Sequence, residues 1–256
     1  MSFFDGNARS NYGAGVSRIG GAQYDAGLRA YMLGIYNHMT LGLAISGLVA
    51  FGAWLLAGSP TALGFSHLTA FGQAIYLSPL RWLIMLAPLG FVMFMSFRFD
   101  RVSYQTLLGT FWAFAAVMGL SLSTWLLIFK IGSVVQVFFI TAAAFGALSL
   151  YGYTTRRSLS AMGSFMAMGL FGIIIATLVN IFVQSSAFQF AINVLGVVIF
   201  AGLTAWDTQR LKDSYDQVAQ GTEMAAKYSL MGALTLYLNF INMFQFLLSI
   251  MGNRNN

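Results

Sequence analysis

An all-α, polytopic membrane protein is the fold class that three features of this sequence predict. Hydrophobic residues fill 58% of the 256 positions. Charged residues supply only 8%, where a soluble domain carries roughly 25%, so the chain lacks polar cover for a water-facing surface. The apolar positions also fall into seven runs, each near the roughly 20 residues that carry a helix across a bilayer.

The first thirty residues hold no such run. They are rich in Gly, Ser and Asn, with Arg9, Arg18 and Arg29 scattered among them. A secretory signal needs a continuous apolar core of roughly 7–15 residues and a small-residue cleavage site, and neither is present. Residues 1–30 are therefore expected to form a flexible cytoplasmic tail, and 31–256 a seven-helix transmembrane domain. The crossings are expected at about 32–57, 80–97, 106–129, 134–151, 162–183, 188–208 and 229–251. Pro88 lies within the second and should kink it, while Pro60 and Pro79 fall in the first loop. Short connections make neighbours in sequence antiparallel neighbours in space. No internal repeat argues for an inverted-repeat transporter.

Basic residues set the orientation. With the amino terminus inside, the cytoplasmic side holds Arg9, Arg18, Arg29, Arg98, Arg101, Arg156, Arg157, Arg210, Lys212 and Lys227. The other side holds Arg81, Lys130 and Arg254. Such a bias is the positive-inside pattern, and it leaves the carboxyl terminus outside. The formal charge of +6 thus reflects topology. Nucleic acid is not an expected partner, because the basic residues flank apolar runs and form no patch.

The inventory argues against an enzyme. There is no Cys, and His38 and His67 stand alone, so thiol chemistry, Cys-ligated zinc and a His-Glu-x-x-His motif are excluded. An aspartyl dyad needs two neighbouring acids, and the spans hold one. No cofactor is expected. Pairs such as Gly42/Ser46 and Gly163/Ala167 have the spacing that lets membrane helices approach closely, although the general abundance of Gly accounts for them.

That one acid is Asp207, near the cytoplasmic end of the sixth crossing. An ionisable group in a membrane helix is by default a functional-site hypothesis, as a cation binder or proton sensor. The bland alternative is an interfacial acid that reaches water or pairs with Arg210 one turn on. The seventh crossing carries a polar stripe: Gly232, Thr235, Asn239, Asn242 and Ser249 recur at three-, four- and seven-residue spacing, and Tyr228 extends it. Those residues share one helical face, which should turn toward protein or water because lipid offers amides no partner. The seventh helix is therefore expected to be central in the bundle. The stripe is either interhelical glue or part of a lined pathway, with Thr235 and Asn242 as candidates. Asn180 and Asn193, toward the outer end, are candidates for the other half of the route, against the plainer reading of packing or water-facing roles.

Three elements carry a family resemblance. They are Ser149-Leu-Tyr-Gly-Tyr-Thr-Thr-Arg-Arg-Ser-Leu-Ser160, Asp207-Thr-Gln-Arg-Leu-Lys212 and Gly232-Ala-Leu-Thr-Leu-Tyr-Leu-Asn-Phe-Ile-Asn242. In this order they resemble the Bax inhibitor-1 (transmembrane BAX inhibitor motif) family, closest to its bacterial inner-membrane branch, over about 28–254. The resemblance implies seven helices with the last surrounded by the other six, a pH-sensitive calcium leak, and a latch in which aspartates of the sixth and seventh helices share a proton. Calcium ions or protons would be the ligands, with the lipid bilayer as surroundings. Asp207 matches the sixth-helix acid, and Arg98 lies near a basic residue that supports the latch in some members.

The seventh-helix acid is absent. Where the family pattern reads Leu-Tyr-Leu-Asp-Phe-Ile-Asn, this chain has Asn239. Two carboxylates about 4 Å apart repel by about 4 kcal/mol at an effective dielectric of 20. Asn239 removes that repulsion and can donate its amide hydrogen to Asp207. The expected consequences are a latch closed over a wider pH range, without coupled titration, and weaker calcium binding, since a hard cation favours anionic oxygens. A rival reading is an interaction protein that binds membrane proteases or other membrane proteins, with its polar residues serving only the fold.

Overall fold

A computed structural model describes residues 8–58, 68–217 and 223–255, with side chains from 26 onward. Pro60 and His67 fall outside the described residues. Eight α-helices are present among the described residues: α1 (Ala8–Leu56), α2 (Ala70–Tyr76), α3 (Leu80–Arg98), α4 (Tyr104–Ile128), α5 (Ile131–Thr154), α6 (Ser160–Val183), α7 (Ser186–Asp213) and α8 (Glu223–Met251). All except the seven-residue α2 contain a segment long and apolar enough to cross a bilayer. The seven expected crossings therefore correspond to α1 and α3–α8, in order. The first crossing occupies Ala26–Leu56. Residues 8–25, read from sequence as tail, continue its helix toward the amino terminus, and residues 1–7 lie outside the described residues.

Polar residues at the turns define where the helices stop and start. Ser103 caps α4 by accepting from the Thr106 amide, and Ser185 caps α7 by accepting from the Phe188 amide. These bonds satisfy helix-terminal donors that no intrahelical carbonyl reaches. Gln184, at the end of α6, is left-handed with φ 54°, which turns the chain sharply into α7. Helix α3 runs on through Pro88, which has no N–H to give to the preceding turn.

The bundle has a packed inside and an apolar outside. Half of α8's apolar window is buried, against 11% in α3 and in α6. Helix α8 packs chiefly on α1, α4, α5 and α7, whereas α3 reaches the bundle through α4 and α6 through α7. Tyr237, at the middle of α8, meets Phe111 and Phe114 of α4 edge-on, and Phe240 meets Phe138 and Phe145 of α5 likewise. Side chains such as Leu83, Phe97, Phe171 and Phe182 point outward. Helices with this all-round apolar character suit a bilayer.

Two glycines set how closely α7 is held. A methyl group on Gly152 of α5 would collide with the Ala205 backbone, and one on Gly163 of α6 would enter the Trp206 ring. Without a Cβ at these points, α5 and α6 can close on the α7 segment that carries Asp207. At the other end of the bundle, the final residues lie across the α4–α5 turn. The Lys130 amide donates to the Asn253 carbonyl, and the Asn255 amide to that of Ile128.

Candidate functional site

Asp207 is buried, with 4% of its surface exposed. It sits about two turns before the end of α7, facing α8. Both its oxygens are engaged. Asn239 Nδ2 donates to Oδ2 at 2.8 Å, and Arg210 lies 2.7 Å from Oδ1. Arg210 is half exposed and lies over the Trp206 ring, 4.7 Å from its centroid. Trp206 in turn fills the notch at Gly163. The carboxylate thus has one neutral donor inside the bundle and one cation reaching toward the rim. When Asp207 is ionised, such a bond is about twice as strong as a neutral one, and it joins the last two spans near one end.

Neighbouring residues of the same element anchor the helix end. Gln209 takes the Leu159 amide on Oε1 at 2.7 Å and donates to the Arg157 carbonyl at 2.9 Å, pinning the α5–α6 turn to α7. Lys212 Nζ donates to the Tyr153 carbonyl at 2.9 Å. Thr208 and Ser149 share a hydrogen bond of 2.9 Å. The sequence Asp207-Thr-Gln-Arg-Leu-Lys212 therefore reaches α5, the α5–α6 turn and α8 from successive helical positions.

The other expected site residues separate into three groups. Arg98, exposed in the last turn of α3, makes no ion pair with Asp207; the cation beside the carboxylate is Arg210. Thr235 and Asn242 are half-buried, and each donates to a carbonyl four residues back on its own helix, at 3.1 and 2.8 Å. Ser249 does the same at 2.8 Å. Of the α8 stripe, Asn239 is the member that bonds across to α7. Asn180 and Asn193 are buried near the α6–α7 turn, joined through Gln189: Asn180 Nδ2 donates to Gln189 Oε1 at 2.9 Å, and Gln189 Nε2 to Asn193 Oδ1 at 3.0 Å. Asn180 Oδ1 also accepts the Ser185 amide at 3.1 Å.

Several contributors escaped the sequence reading. In mid-span, Tyr237 Oη lies 2.6 Å from Ser46 Oγ, which donates to the Ala115 carbonyl at 2.7 Å; α1, α4 and α8 meet there. Nearer the Asp207 end, Glu223 Oε1 accepts the Tyr104 amide at 2.7 Å and lies 3.8 Å from buried Lys227. Tyr104 Oη is 3.2 Å from His38 Nε2, while His38 Nδ1 is 2.7 Å from the Gly34 carbonyl. The carbonyl can only accept, so Nδ1 carries a proton. A lone Ser or Tyr in an apolar run gives no sign of its partner; helix spacing alone does not tell which helices meet.

Comparison with known proteins identifies the arrangement. The family model described as Inhibitor of apoptosis-promoting Bax1 matches residues 28–256. The chain belongs to the Bax inhibitor-1 family. It is 44% identical over 234 residues to an uncharacterized protein of Rickettsia prowazekii, covering 90% of this chain and 92% of that one. It is 41% identical over 230 residues to the inner membrane protein YbhL of Escherichia coli K12, covering 90% and 94%. An uncharacterized membrane protein of Streptococcus pyogenes is 31% identical over 230 residues, covering 90% and 95%. The match begins within the first span and takes in the whole Asp207–Asn239 region. The protein is thus an integral, multi-pass membrane member of this family.

Among the described residues, no three His, Asp or Glu side chains come together in a way that could hold a metal ion. A cation arriving at Asp207 would meet one carboxylate, whose two oxygens already contact Asn239 and Arg210.

Proposed function

We propose that this protein is a pH-responsive cation leak of the inner membrane, with calcium the leading candidate ion, whose latch is the Asp207–Asn239 hydrogen bond. The observation that carries this reading is the 2.8 Å contact between Asn239 Nδ2 and the buried Asp207 carboxylate, made between the last two spans. A proton or a cation on Asp207 weakens the acceptor, and α7 then loses its charged tie to α8. The donor is an amide, so it donates at any pH. The latch is therefore closed over a wider range than a pair of acids would allow, and it holds calcium weakly. The basic side, with the amino terminus, faces the cytoplasm.

Calcium flux into liposomes between pH 5 and 8 tests the reading, comparing the wild-type chain with Asn239→Asp and Asp207→Asn. The expected result is a steeper pH dependence in the first variant and a pH-independent flux in the second. Unchanged rate and pH dependence in Asn239→Asp would refute the latch.

One feature favours a second reading. Arg210 already neutralises Asp207, so the carboxylate is satisfied as a purely structural tie, and the bundle would then serve as an interaction protein for membrane proteases or other membrane proteins. Under that reading Asp207→Asn leaves flux at background while co-purification with a membrane partner persists.

A further inference from the structure

Helices α1 and α5 both pack on α8 but scarcely on each other. The gap between them is a groove of about 630 Å³, within the range of about 300–1,000 Å³ that small ligands occupy. Its apolar walls come from Met32, Leu33 and Met39 of α1 and Phe145 and Leu150 of α5, and no acid lines it. Tyr36 and Ser149 are hydrogen-bonded across its floor at 2.5 Å, and Ser149 continues to Thr208 of α7. These hydroxyls are satisfied by one another, so the floor does not require a polar occupant.

Charge is found at one end. Arg29 lines the groove there, exposed, in the first turn of the Ala26–Leu56 span. Tyr153 lines the same end, and Lys212 Nζ lies 5.5 Å over its ring, adding a second cation beside the rim. From Arg29 the groove follows α1 to Thr40, about 16 Å at 1.5 Å per residue. That is roughly half of a hydrocarbon core about 30 Å thick. The groove is one leaflet long, apolar along its length and basic at the head-group level.

We infer that the groove is a binding site for one acyl chain of an anionic phospholipid, whose phosphate rests on Arg29. The planar guanidinium matches phosphate oxygens, and the second cation at the rim favours a lipid with net negative charge. Largely apolar walls, with Tyr36 and Ser149 bonded to each other, would not order a column of water. The site is independent of whether Asp207 gates an ion.

Glycine supplies a clean test. A Cβ added at Gly146, which lines the groove, meets nothing within 4 Å, so Gly146→Leu fills the space without forcing the helices apart. Gly132, nearer the start of α5 and outside the groove, is equally open, and Gly132→Leu is the control. Purified, delipidated protein in mild detergent is given phosphatidylglycerol or phosphatidylcholine, and retained lipid is counted by native mass spectrometry. Wild type and Gly132→Leu are expected to hold one phosphatidylglycerol per chain, and Gly146→Leu about tenfold less. Arg29→Gln should lower phosphatidylglycerol retention about fivefold, the effect of one basic residue at an anionic surface, and lower that of phosphatidylcholine, whose choline offsets its phosphate, by less. Equal retention by Gly146→Leu and Gly132→Leu overturns the proposal, as does a lipid preference in Arg29→Gln identical to wild type. A wild-type chain that runs as a lipid-free dimer also overturns it, by giving the groove to a second copy. Should Gly146→Leu fail to fold, the Arg29→Gln preference still decides.

Discussion

Two amide clusters hold α7, one near each end, and charge separates them. Toward the carboxyl end of α7, Asn239 of α8 donates to the Asp207 carboxylate, with Arg210 on the other oxygen. At the opposite end, Gln189 links Asn180 and Asn193 in a neutral chain. The neutral chain has no member that gains or loses a proton in the physiological range, so it holds the α6–α7 turn in the same way under all ordinary conditions. The charged cluster has an acceptor that a proton or a cation can take away. The same residue type, Asn, is thus a fixed strut at one end and, in the proposed latch, half of a two-state contact at the other. Burial alone does not distinguish them, since Asn180, Asn193 and Asn239 are all buried.

The variant that widens the contrast most is Asn239→Asp. Two carboxylates then face each other between α7 and α8, repelling by up to about 4 kcal/mol unless a proton lies between them. Stability should therefore be present at acidic pH and fall as pH rises. Resistance to SDS denaturation, measured from pH 5 to 8, is expected to drop by up to this amount in the variant, against a much flatter profile for the wild-type chain. A flat profile in the variant would mean that the two side chains move apart, and the two ends of α7 would no longer differ in kind.

Asn239→Leu comes next. It takes away the inner donor and leaves a buried carboxylate oxygen facing a methyl group. Hydrogen bonds to charged groups contribute about 1.5–3 kcal/mol, and a loss in this range is expected from the same SDS titration. A loss under about 0.6 kcal/mol, the average for interhelical hydrogen bonds in membranes, would place Asn239 with the neutral struts.

Much of this contrast was legible in the sequence, and the rest was not for identifiable reasons. The seven crossings follow from apolar runs, because only continuous helices of that length satisfy the backbone in lipid. Asp207 stood out as the one acid within a span, and the element around Asn239 matched a family pattern whose register fixes which side chains face each other. Gln189 is not legible in the sequence, since it acts only once the left-handed residue Gln184 folds α6 back on α7. A cluster of amides at positions 180, 184, 189 and 193 around a serine cap was the available signal. Arg210 was weighed only as the partner of an interfacial acid, whereas the structure shows it pairing with a buried one. An i, i+3 ion pair can be read from spacing; the burial of one partner depends on Gly152 and Gly163 drawing α5 and α6 onto α7.

Asn180→Leu tests the other end. It removes the bond to Gln189 and the acceptor for the Ser185 amide, with an expected loss of about 0.6–1.7 kcal/mol. Because no charge is involved, the loss should be the same at pH 5 and pH 8. A loss that varies with pH would show that this network also senses protons, and the division between the two ends would fail.

Arg210→Gln carries the smallest expected effect and the sharpest discrimination. Its side chain is 50% exposed while that of Asp207 is 6% exposed, so the pair straddles the boundary between a surface and a buried salt bridge. Exposed pairs contribute about 0.2–1 kcal/mol and weaken with salt; removing one partner of a fully buried pair costs about 3–5 kcal/mol. The solvent reaching Arg210 favours the lower range, with a loss that shrinks between 0.05 and 0.5 M salt, both salt levels on the order of those that change screening strongly. A loss near the upper range, unaffected by salt, would make the guanidinium the counter-ion on which the buried charge depends. The contact that can change state would then be the ion pair within α7, and Asn239 would be a strut like Asn180.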